Sequence, residues 1–483
     1  TPGLRKRLEE MKNPPELKKL EIPGLKMQLF PFQREGVEFI ESRKGKALIG
    51  DEMGLGKTAQ TIAWLQLHQE LVPVVVIVPA SVKYNWQKEI LMWTPDRRVV
   101  VLSGRKPTAH TVMDKGTIYI INYDIVSGWL DTLLGMNPKV VVMDESHYIK
   151  NRKAQRTKAV QKLCKKVDHV IGLSGTPIIN RPVEFFNVLN ILSPGRFPSF
   201  WKYAHEFCGA RHNGFGWDFT GASNTKELHQ LLTSTCMIRR TKEEVLKDLP
   251  DKTRSIIPLS MEQKAAKEYA RAKDHFIGWL REVNPTKVSA AQRAEALVQF
   301  QTLKQLARKG KWKATIEWLK DVLSTNGKVI VFAVHHAAVD ALMEALSGFN
   351  PVKLDGRDSN KAKNAAVDRF QEDPTCRVFI GNIKAAGVGI TLTAANMVAF
   401  VELGWTPGEH SQAEDRAHRI GQKNAVSVYY LIAEGTVEQE IAGLLDRKQK
   451  VLSAVLDGED AEQGMLLTEL LNQYMKEAAN DVL

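Results

Sequence analysis

The amino-acid sequence predicts an α/β fold made of two parallel-sheet units with helical insertions. Short apolar runs rich in β-branched residues occur in two series, one in each half of the chain. Nearly continuous apolar runs of this kind are typical of strands that are buried on both faces of a parallel sheet. Most spacers between the runs are long enough for crossover helices. A chain of 483 residues also exceeds what a single hydrophobic core usually organises.

The predicted strands fall into the two series in chain order. Those of the first series are residues 46–50, 74–80, 99–103, 117–123, 140–145 and 169–175. Those of the second series are residues 328–334, 351–356, 377–382, 397–403 and 426–432.

Changes in composition divide the chain into segments around these two cores. Longer apolar runs with helical spacing follow the first series, and a charged, helix-forming stretch precedes the second. The predicted segments are a polar lead-in (1–28), the first core (29–177), a helical extension of the first unit (178–255), a helical extension or linker of the second unit (256–325), the second core (326–456) and a C-terminal helical tail (457–483).

Composition and charge limit the class of protein. A hydrophobic content of 43% and a charged content of 25% are ordinary for a soluble globular protein. No run of about 18 apolar residues is present, and the N-terminal segment lacks the apolar core of a secretory signal. The chain begins at Thr1 rather than at Met, so we expect it to be part of a longer chain.

The cysteines and the net charge indicate an intracellular protein with a polyanionic partner. The four cysteines are scattered and form no CxxC pair, so neither a zinc ribbon nor a disulfide framework is encoded. A net charge of +12 favours nucleic acid as a partner, although a merely basic protein is the alternative at this charge.

The stretch DEMGLGKT (51–58) nearly matches the phosphate-binding pattern GxxxxGK[ST], with Asp51 at the position of the first Gly. It follows a predicted buried strand and precedes a helical stretch, which is the context that the pattern requires. Glycines let the backbone amides face a phosphate, Lys57 would reach the β- and γ-phosphates, and Thr58 would hold Mg²⁺. The residues expected to contact the nucleotide are Asp51, Gly54, Leu55, Gly56, Lys57 and Thr58.

The stretch VVVMDESH (140–147) supplies a second part of the predicted site. A carboxylate at the end of a buried strand is the Walker-B arrangement, in which Asp144 would bind Mg²⁺. Glu145 would orient and deprotonate the attacking water. A glycine turn is the alternative for DEMGLGKT alone, but it does not explain both motifs in order, each on its strand.

A third stretch, QAEDRAHRIGQ (412–422), places Arg416 and Arg419 three residues apart on a predicted helix, so both would face the same way. Arginines of this kind stabilise the charge that develops on a γ-phosphate during transfer. Because they belong to the second unit, the site would form in the cleft between the units. Surface ion pairs are the alternative role for these arginines in isolation.

Together, DEMGLGKT, DESH, LSGTP (173–177) and QAEDRAHRIGQ resemble the Swi/Snf-type ATPases, which are double-stranded-DNA translocases of helicase superfamily two. The resemblance runs from about Leu29 to Leu456, and this family also carries Asp at the position of Asp51. It implies two RecA-like lobes and a DNA-dependent ATPase that uses ATP and Mg²⁺. It also implies double-stranded or forked DNA as the partner, a monomeric motor, and a location on DNA in a nucleus or nucleoid. Protein partners would act through missing flanking domains.

The resemblance assigns further residues outside these stretches. The segment 29–37 is similar to the adenine-reading segment of the family, with Gln33 as the base contact. Segments 78–86 and 121–124 resemble motifs that touch the DNA backbone. Segment 381–393 resembles a motif that lies against both the nucleotide and the DNA, with Gly389 on the nucleotide side. The residues expected to contact DNA are Ser81, Lys83, Asn122, Lys384, Thr391 and Trp405. Loop capping is the alternative role for these residues, and for Trp405 packing between lobes is favoured.

Several details are closest to the annealing helicases, which rewind DNA and remodel stalled forks. One of them is the aromatic and glycine-rich segment GFGWDFTGASN (214–224), for which an ordinary surface hairpin is the alternative. Departures from the family pattern are His335, His336, Glu402 and Thr406. The sequence therefore predicts a translocase on duplex DNA that acts in rewinding or fork remodelling.

Three other functions remain open from the sequence. A strand-separating or RNA helicase is disfavoured by the ending HRIGQ, and a non-catalytic scaffold is disfavoured by the intact site residues. Nucleosome sliding would require histone-reading modules, which flanking domains could supply.

Overall fold

The structure is a computed structural model that describes residues 21–108, 113–175, 182–212, 216–219, 221–282, 290–325, 327–386, 389–445, 470 and 474–475. Two large parallel sheets organise these residues, which confirms the predicted α/β fold class with two parallel-sheet lobes. Most of the predicted lead-in and C-terminal tail lie outside the described residues, as do Thr176, Pro177 and, within the 214–224 segment, Gly214, Phe215 and Thr220.

The strands of the first half are β1 (Lys46–Ile49), β2 (Val74–Val78), β3 (Val99–Val101), β4 (Ile118–Asn122), β5 (Val140–Met143), β6 (His169–Leu173), β7 (Arg211–His212), β8 (Trp217–Asp218) and β9 (Met237–Ile238). The helices of this half are α1 (Pro31–Ser42), α2 (Lys57–Leu67), α3 (Lys83–Trp93), α4 (Val126–Gly135), α5 (Gln155–Cys164), α6 (Phe186–Leu192), α7 (Phe200–Phe207), α8 (Thr225–Thr235) and α9 (Lys242–Val245). Short 3₁₀ segments cover Ala80–Val82, Ser146–Ile149 and Pro182–Phe185.

Seven of these strands form the first sheet in the order β3-β4-β2-β5-β6-β1-β9, all parallel, and β7 and β8 form a separate antiparallel hairpin. The interior strand β2 is buried along its whole length. Val75 and Ile77 join the core on one face, and Val74, Val76 and Val78 join the core on the other. This two-sided burial explains the continuous apolar run, because burying each such side chain contributes roughly 1.5–3 kcal/mol.

The strands of the second half are β10 (Lys252–Leu259), β11 (Val329–Ala333), β12 (Val352–Leu354), β13 (Val378–Asn382), β14 (Met397–Phe400) and β15 (Val426–Ala433). They form a second parallel sheet in the order β10-β15-β14-β11-β13-β12. The helices are α10 (Gln263–Glu282), α11 (Ala290–Thr325), α12 (His336–Ala345), α13 (Asn360–Glu372), α14 (Ile383–Ala386) and α15 (Pro407–Glu414), with a 3₁₀ segment at Ser347–Phe349. No described helix has the length and apolar character needed to cross a membrane.

Strand β10 differs most from the sequence prediction. It pairs with β15 over its full length, from Lys252 against Val426 to Leu259 against Ala433. The expected boundary between residues 255 and 256 therefore falls inside a strand of the second sheet. The segment 178–255, expected to be helical, contains α6 to α9 but also the β7–β8 hairpin and β9, which extends the first sheet beside β1.

The departures from the family pattern have local structural partners. The carboxylate of Glu402 accepts hydrogen bonds from the backbone amides of Val334 and His335, and it lies 2.9 Å from Nδ1 of His335. His335 and Glu402, two of the four departures from the family pattern, therefore contact each other. The hydroxyl of Thr406 accepts from the amide of Glu409 at 3.3 Å and caps α15, which Pro407 begins.

Candidate functional site

Residues 51–58 form a loop that joins the end of β1 to the start of α2. Gly54 and Gly56 adopt φ values of +89° and +77°, which residues other than glycine rarely adopt. Gly56 is the N-cap of α2, so the loop leads directly into the helix N-terminus, where a field favourable to anions exists. Thr58 follows in the first turn. The loop thus has the strand-to-helix context that the sequence predicts.

The ammonium of Lys57 closes this loop on itself. Nζ donates to the backbone carbonyls of Asp51 at 2.8 Å and Glu52 at 3.3 Å. Burial lowers the pKa of Lys57, and the carboxylates of Glu145, Asp51 and Asp144 oppose this effect. Lys57 therefore lies within the electrostatic reach of both carboxylates at the end of β5.

Asp51 is held by a buried ion pair with Arg240. Nη2 and Nε of Arg240 lie 2.6 and 3.1 Å from the two carboxylate oxygens of Asp51, and Nε2 of Gln60 donates to the same carboxylate at 2.9 Å. The exposed fraction of the Asp51 side chain is zero. The side chain that replaces the first Gly of the general pattern thus ties the loop to the segment after β9.

Gln33 lies against the same loop from α1. Its Nε2 donates to the carbonyl of Leu55 at 3.1 Å, and its Oε1 accepts from the amide of Phe30 at 3.0 Å. A Cβ atom at Gly56 would approach Nε2 of Gln33 to 2.3 Å, so only glycine fits there. The structure therefore fixes Gln33 beside the loop residues that the sequence singles out.

Asp144 and Glu145 follow β5 and lie half-buried at the centre of the site. The Asp144 carboxylate accepts from Trp86 Nε1 at 2.7 Å and from the amide of Glu145 at 3.0 Å. Tyr123 donates to the Asp144 carbonyl at 2.7 Å. Burial and the adjacent charge of Glu145 raise the pKa of Asp144 to about 6. Two neighbouring, half-buried carboxylates opposite one lysine carry excess negative charge, which fits a divalent cation.

Glu145 occupies a left-handed backbone conformation with φ of 47°. Its carboxylate lies 3.3 Å from Nδ1 of His147. Burial alone would raise the pKa of Glu145, but His147, Lys57 and Arg416 outweigh it and hold this pKa below its usual value. Glu145 is therefore ionised at neutral pH and able to accept a proton.

Arg416 and Arg419 reach this site from the second unit. Both guanidinium groups donate to the carbonyl of Ile390, at 3.3 and 3.4 Å, so both face the same way as predicted. Burial lowers the pKa of Arg416 to about 10, with Arg419 adding to the effect and the carboxylates of Asp415, Glu145 and Asp144 opposing it. A Cβ atom at Gly54 would lie 3.2 Å from Cγ of Arg419, which places this arginine against the loop.

The prediction that these arginines lie on a helix is wrong. Helix α15 ends at Glu414, and turns carry the chain through residues 415–420. Nε of Arg416 donates to the carbonyl of Gln412 at 2.9 Å, and so satisfies a carbonyl of the last helical turn. The turns, rather than a helical face, bring the two arginines together.

Lys242 connects the two units beside these arginines. Its amide donates to Oε2 of Glu52 at 2.7 Å, and its Nζ donates to Asp415 at 2.7 Å and to the carbonyl of His418 at 2.5 Å. The same carboxylate of Asp415 lies 3.2 Å from Nζ of Lys252. The cleft is thus bridged by buried charges that belong to both units.

Of the residues expected to contact DNA, Ser81, Asn122 and Lys384 lie at or just after the carboxyl ends of β2, β4 and β13. Ser81 and Lys384 are exposed, whereas Asn122 is buried. Nζ of Lys83 donates to the carbonyl of Leu102 at 3.1 Å, and burial lowers the pKa of this lysine. Nζ of Lys304 lies 4.4 Å from the centre of the Trp405 ring, so Trp405 packs within the second unit.

One close approach brings these segments of the two units together. A Cβ atom at Gly389 would lie 2.4 Å from Cγ1 of Val82, so the loop that carries Thr391 meets the segment that carries Ser81 and Lys83. The structure therefore places Gly389 against the first unit near Ser81, while its neighbour Ile390 holds the two arginines.

Sequence reasoning missed three residues of this site. Arg240 and Lys242 lie in a stretch to which the sequence assigns no site residue, and Trp86 lies in the segment 78–86, which is expected to contact DNA. The signal that could have found Arg240 is Asp51 itself, because a buried carboxylate in a loop requires a cationic partner. Neither Trp86 nor Lys242 has a comparable signal in the local sequence.

Comparisons with known proteins identify the family to which most of the chain is similar. The family model described as "SNF2-related domain" matches residues 32–312, and "Helicase conserved C-terminal domain" matches residues 314–421. The human "DNA annealing helicase and endonuclease ZRANB3" is 38% identical over 458 residues, covering 91% of this chain and 42% of that protein.

A second relative comes from Xenopus tropicalis. It is the "SWI/SNF-related matrix-associated actin-dependent regulator of chromatin subfamily A-like protein 1", 35% identical over 431 residues, covering 88% of this chain and 44% of that protein. The chain thus spans less than half the length of these relatives. A solved structure, "Sulfolobus solfataricus SWI2/SNF2 ATPase core in complex with dsDNA", is 26% identical, with a TM-score of 0.46 over 96% of this chain and 99% of that chain. Because the first family model matches more than half of the residues, this chain belongs to the SNF2-related domain family.

Proposed function

We propose that this chain is the motor of an ATP-dependent translocase on double-stranded DNA, acting in DNA rewinding or fork remodelling. The observation that carries the proposal is the meeting of Arg416 and Arg419 from the second unit with the loop and carboxylates of the first. Each unit supplies only part of the constellation, so hydrolysis depends on how the units are arranged. That dependence is what couples a chemical step to movement.

The phosphates of ATP would bind at the loop. The amides of residues 54–58 and the N-terminus of α2 face the β- and γ-phosphates, and Lys57 exchanges its carbonyl partners for phosphate oxygens. Gln33, held by Leu55 and Phe30, reads the adenine. Asp51 keeps its partner Arg240 and supports the loop from behind.

Mg²⁺ would be held by Thr58 and Asp144 and would neutralise charge on the β- and γ-phosphates. Glu145 accepts the proton of the attacking water while the bond between the γ-phosphorus and the bridging oxygen breaks. Arg416 and Arg419 stabilise the charge that develops on the transferred group, a contribution worth roughly 10³–10⁵ in rate in related phosphoryl-transfer enzymes.

DNA would lie across the carboxyl ends of both sheets. Ser81, Lys83 and Asn122 from the first unit and Lys384 and Thr391 from the second would grip phosphates, because a translocase must be indifferent to base sequence. Trp405 would support the second unit's grip through its packing on Lys304. The chain's net charge of +12 supports a DNA partner. A monomeric motor that is associated with DNA inside the cell fits this mode of action.

The printed names of the relatives support the finer assignment, since one of them is called a DNA annealing helicase. The decisive experiment measures ATP hydrolysis without DNA and with single-stranded, duplex and forked DNA, with Lys57→Ala as the blank. We expect strong stimulation by duplex or forked DNA and little by single strands, and more by forks than by duplex. Equal stimulation by single strands would instead identify a strand-separating helicase. No stimulation by any DNA would contradict the motor assignment for this chain.

A further inference from the structure

An exposed cluster of aromatic rings lies on the first unit, away from the nucleotide loop. It consists of Trp201 and His205 on α7, and His212, Trp217 and Phe219 on and beside the β7–β8 hairpin; we call it the aromatic patch. Trp201 and Trp217 have exposed fractions of 50% and 44%. Large apolar side chains with this much exposure, grouped at one place, usually mark a binding surface.

Most ring contacts within the aromatic patch are edge to face, whereas Trp201 with His205 and Trp217 with Phe219 are stacked. The Trp201 and Trp217 rings are 5.6 Å apart at an interplanar angle of 78°, and the His205 ring is 4.8 Å from Trp217 at 80°. Phe219 lies 5.3 Å from Trp201 and supports it from the hairpin. The two tryptophans are thus braced while remaining about half exposed, which leaves ring surface for a flat ligand to stack on.

Cationic side chains lie near the aromatic patch. The guanidinium of Arg152 lies 3.8 Å from the centre of the Phe200 ring, which itself packs 5.1 Å from Phe219. Arg152 and Lys153 are exposed and follow His147, the last residue of the DESH stretch, after four intervening residues. Lys202 is exposed on α7 beside Trp201. Of the nearby carboxylates, Asp218 lies 3.5 Å from Arg211 and Glu184 lies 3.2 Å from Lys150, while Glu206 is exposed.

We propose that the aromatic patch binds single-stranded DNA, with bases stacked on Trp201 and Trp217 and phosphates on Arg152, Lys153 and Lys202. Stacked aromatic rings beside basic side chains are the combination that single strands require, because every base has a π-face and every linkage a negative charge. In duplex DNA the base faces are already stacked, so the aromatic patch selects unpaired segments. The inference rests on the proposed function and extends it: a motor on duplex would hold the unpaired arm of a fork at this surface.

The charge around the rings favours nucleic acid over a protein partner. A protein-docking surface usually has a largely uncharged centre. Here Arg152 packs on Phe200, which contacts Phe219 of the aromatic patch, and Lys153 and Lys202 are exposed nearby in the chain. The position also suits an arm of the same DNA, since Arg152 comes a few residues after Asp144 and Glu145 in the chain.

The test measures binding of fluorescein-labelled oligothymidylate by fluorescence anisotropy, without nucleotide. We expect Trp217→Ala and Trp201→Ala each to weaken binding roughly 10-fold, and the double variant more, as expected for lost base stacking. Trp217→Phe keeps an aromatic face and should retain most of the affinity, whereas Trp217→Leu keeps apolar area without a π-face and should not. Unfolding midpoints check that each variant is folded.

Three results would overturn the proposal: no binding of oligothymidylate by the unaltered protein, undiminished binding by the double variant, or full affinity in Trp217→Leu. The last result would identify an apolar protein-docking surface instead. Lys57→Ala separates this inference from the motor assignment, because it should abolish hydrolysis and still bind oligothymidylate. If the unaltered protein hydrolysed no ATP but still bound oligothymidylate through the two tryptophans, the proposal for the aromatic patch would hold and the motor assignment would be wrong.

Discussion

Lys242 and Asp415 form a buried ion pair between the two units, with Nζ 2.7 Å from Oδ1 and exposed fractions of only 4% and 2% for the two side chains. The same lysine donates its amide to Glu52 in the nucleotide loop. Asp415 directly precedes Arg416, so one residue links the loop to the arginine segment. A change in loop geometry on nucleotide binding would therefore be transmitted to the position of the arginines.

This link predicts that Lys242→Met uncouples the units. Removing one partner of a buried pair leaves an uncompensated charge and costs about 3 kcal/mol, at the low end of the usual range because Lys252 also contacts Asp415. We expect a lower unfolding midpoint and at least a roughly 10-fold loss of DNA-stimulated turnover. Calorimetry and a steady-state hydrolysis assay measure the two effects.

The control is Lys247→Ala, which removes an exposed lysine of the same segment and should change stability by less than about 0.5 kcal/mol. Adding Asp415→Asn to Lys242→Met removes the buried carboxylate charge that has lost its Lys242 partner, and it should recover part of the lost stability. Equal midpoints for Lys242→Met and Lys247→Ala would show that the pair contributes nothing to the arrangement of the units.

A second prediction concerns the departure from the general loop pattern. Asp51→Gly restores the pattern GxxxxGK[ST], but it removes the buried carboxylate partner of Arg240 and leaves only the exposed carboxylate of Glu35, 3.4 Å away. We therefore expect the variant to be less stable by about 3–5 kcal/mol and to bind ATP more weakly. Calorimetry and ATP titration measure these changes. In the matched Asp51→Gly, Arg240→Met double variant part of the stability should return, and a stable, fully active Asp51→Gly protein would contradict the role assigned to the pair.

The sequence predicts the two sheets well because their strands are buried on both faces and so leave continuous apolar runs. Strand β10 escapes prediction because it is an edge strand: most of its residues are exposed, and it contains Arg254 and Pro258. The loop and the carboxylates are predictable because their chemistry depends on short spacings. The contact of Arg240 with Asp51 joins residues that are 189 positions apart, and no local pattern encodes a pairing over that separation.

A third prediction concerns acid lability at His410. Its Nε2 accepts from the amide of Gly404 at 3.1 Å, and its Nδ1 lies 3.0 Å from the carbonyl of Thr406, so the structure requires a neutral ring. Burial lowers the pKa of His410 to about 4, with Lys304 and Arg254 adding to the effect and Glu414 opposing it. The ordinary value in an unfolded chain is about 6.5.

The direction in which the unfolding free energy changes with pH follows from proton binding. Between about pH 6.5 and pH 4 the unfolded chain binds a proton at this residue and the folded protein does not, so stability is full above pH 6.5 and falls as the pH drops. The contribution of His410 amounts to about 3 kcal/mol. We expect His410→Gln to flatten the pH dependence of the unfolding free energy in this interval. The same substitution at exposed His336 is the control, and an unchanged slope in His410→Gln would refute the assignment.

A fourth prediction isolates the hydrogen bond from Trp86 to Asp144. Trp86→Phe removes the indole donor that lies 2.7 Å from the carboxylate while keeping most of the buried ring. Groups that orient a metal-binding carboxylate typically change metal affinity 10- to 100-fold when they are lost, so we expect the half-saturating Mg²⁺ concentration to rise about 10-fold. Trp93→Phe on the same helix is the matched control, because Trp93 donates to Glu89 at 3.3 Å instead. If the two variants had the same half-saturating Mg²⁺ concentration, the role assigned to Trp86 in the site would be wrong.

The last prediction separates binding of ATP from its hydrolysis at Arg416. The guanidinium belongs to the second unit and interacts electrostatically with Glu145 and Asp144, whereas the loop that would bind the phosphates belongs to the first unit. Arg416→Ala should therefore leave the Kd of ATP within a few fold and reduce kcat by roughly 10³ or more, because the missing charge acts on the transition state rather than on bound ATP. Lys423→Ala, an exposed cation a few residues away, is the control and should hydrolyse ATP normally. Equilibrium titration with ATP and single-turnover hydrolysis on duplex DNA measure the two quantities separately. Normal turnover in Arg416→Ala would refute the arginine-finger assignment, whereas a large loss of ATP affinity would make Arg416 a ground-state ligand of the nucleotide.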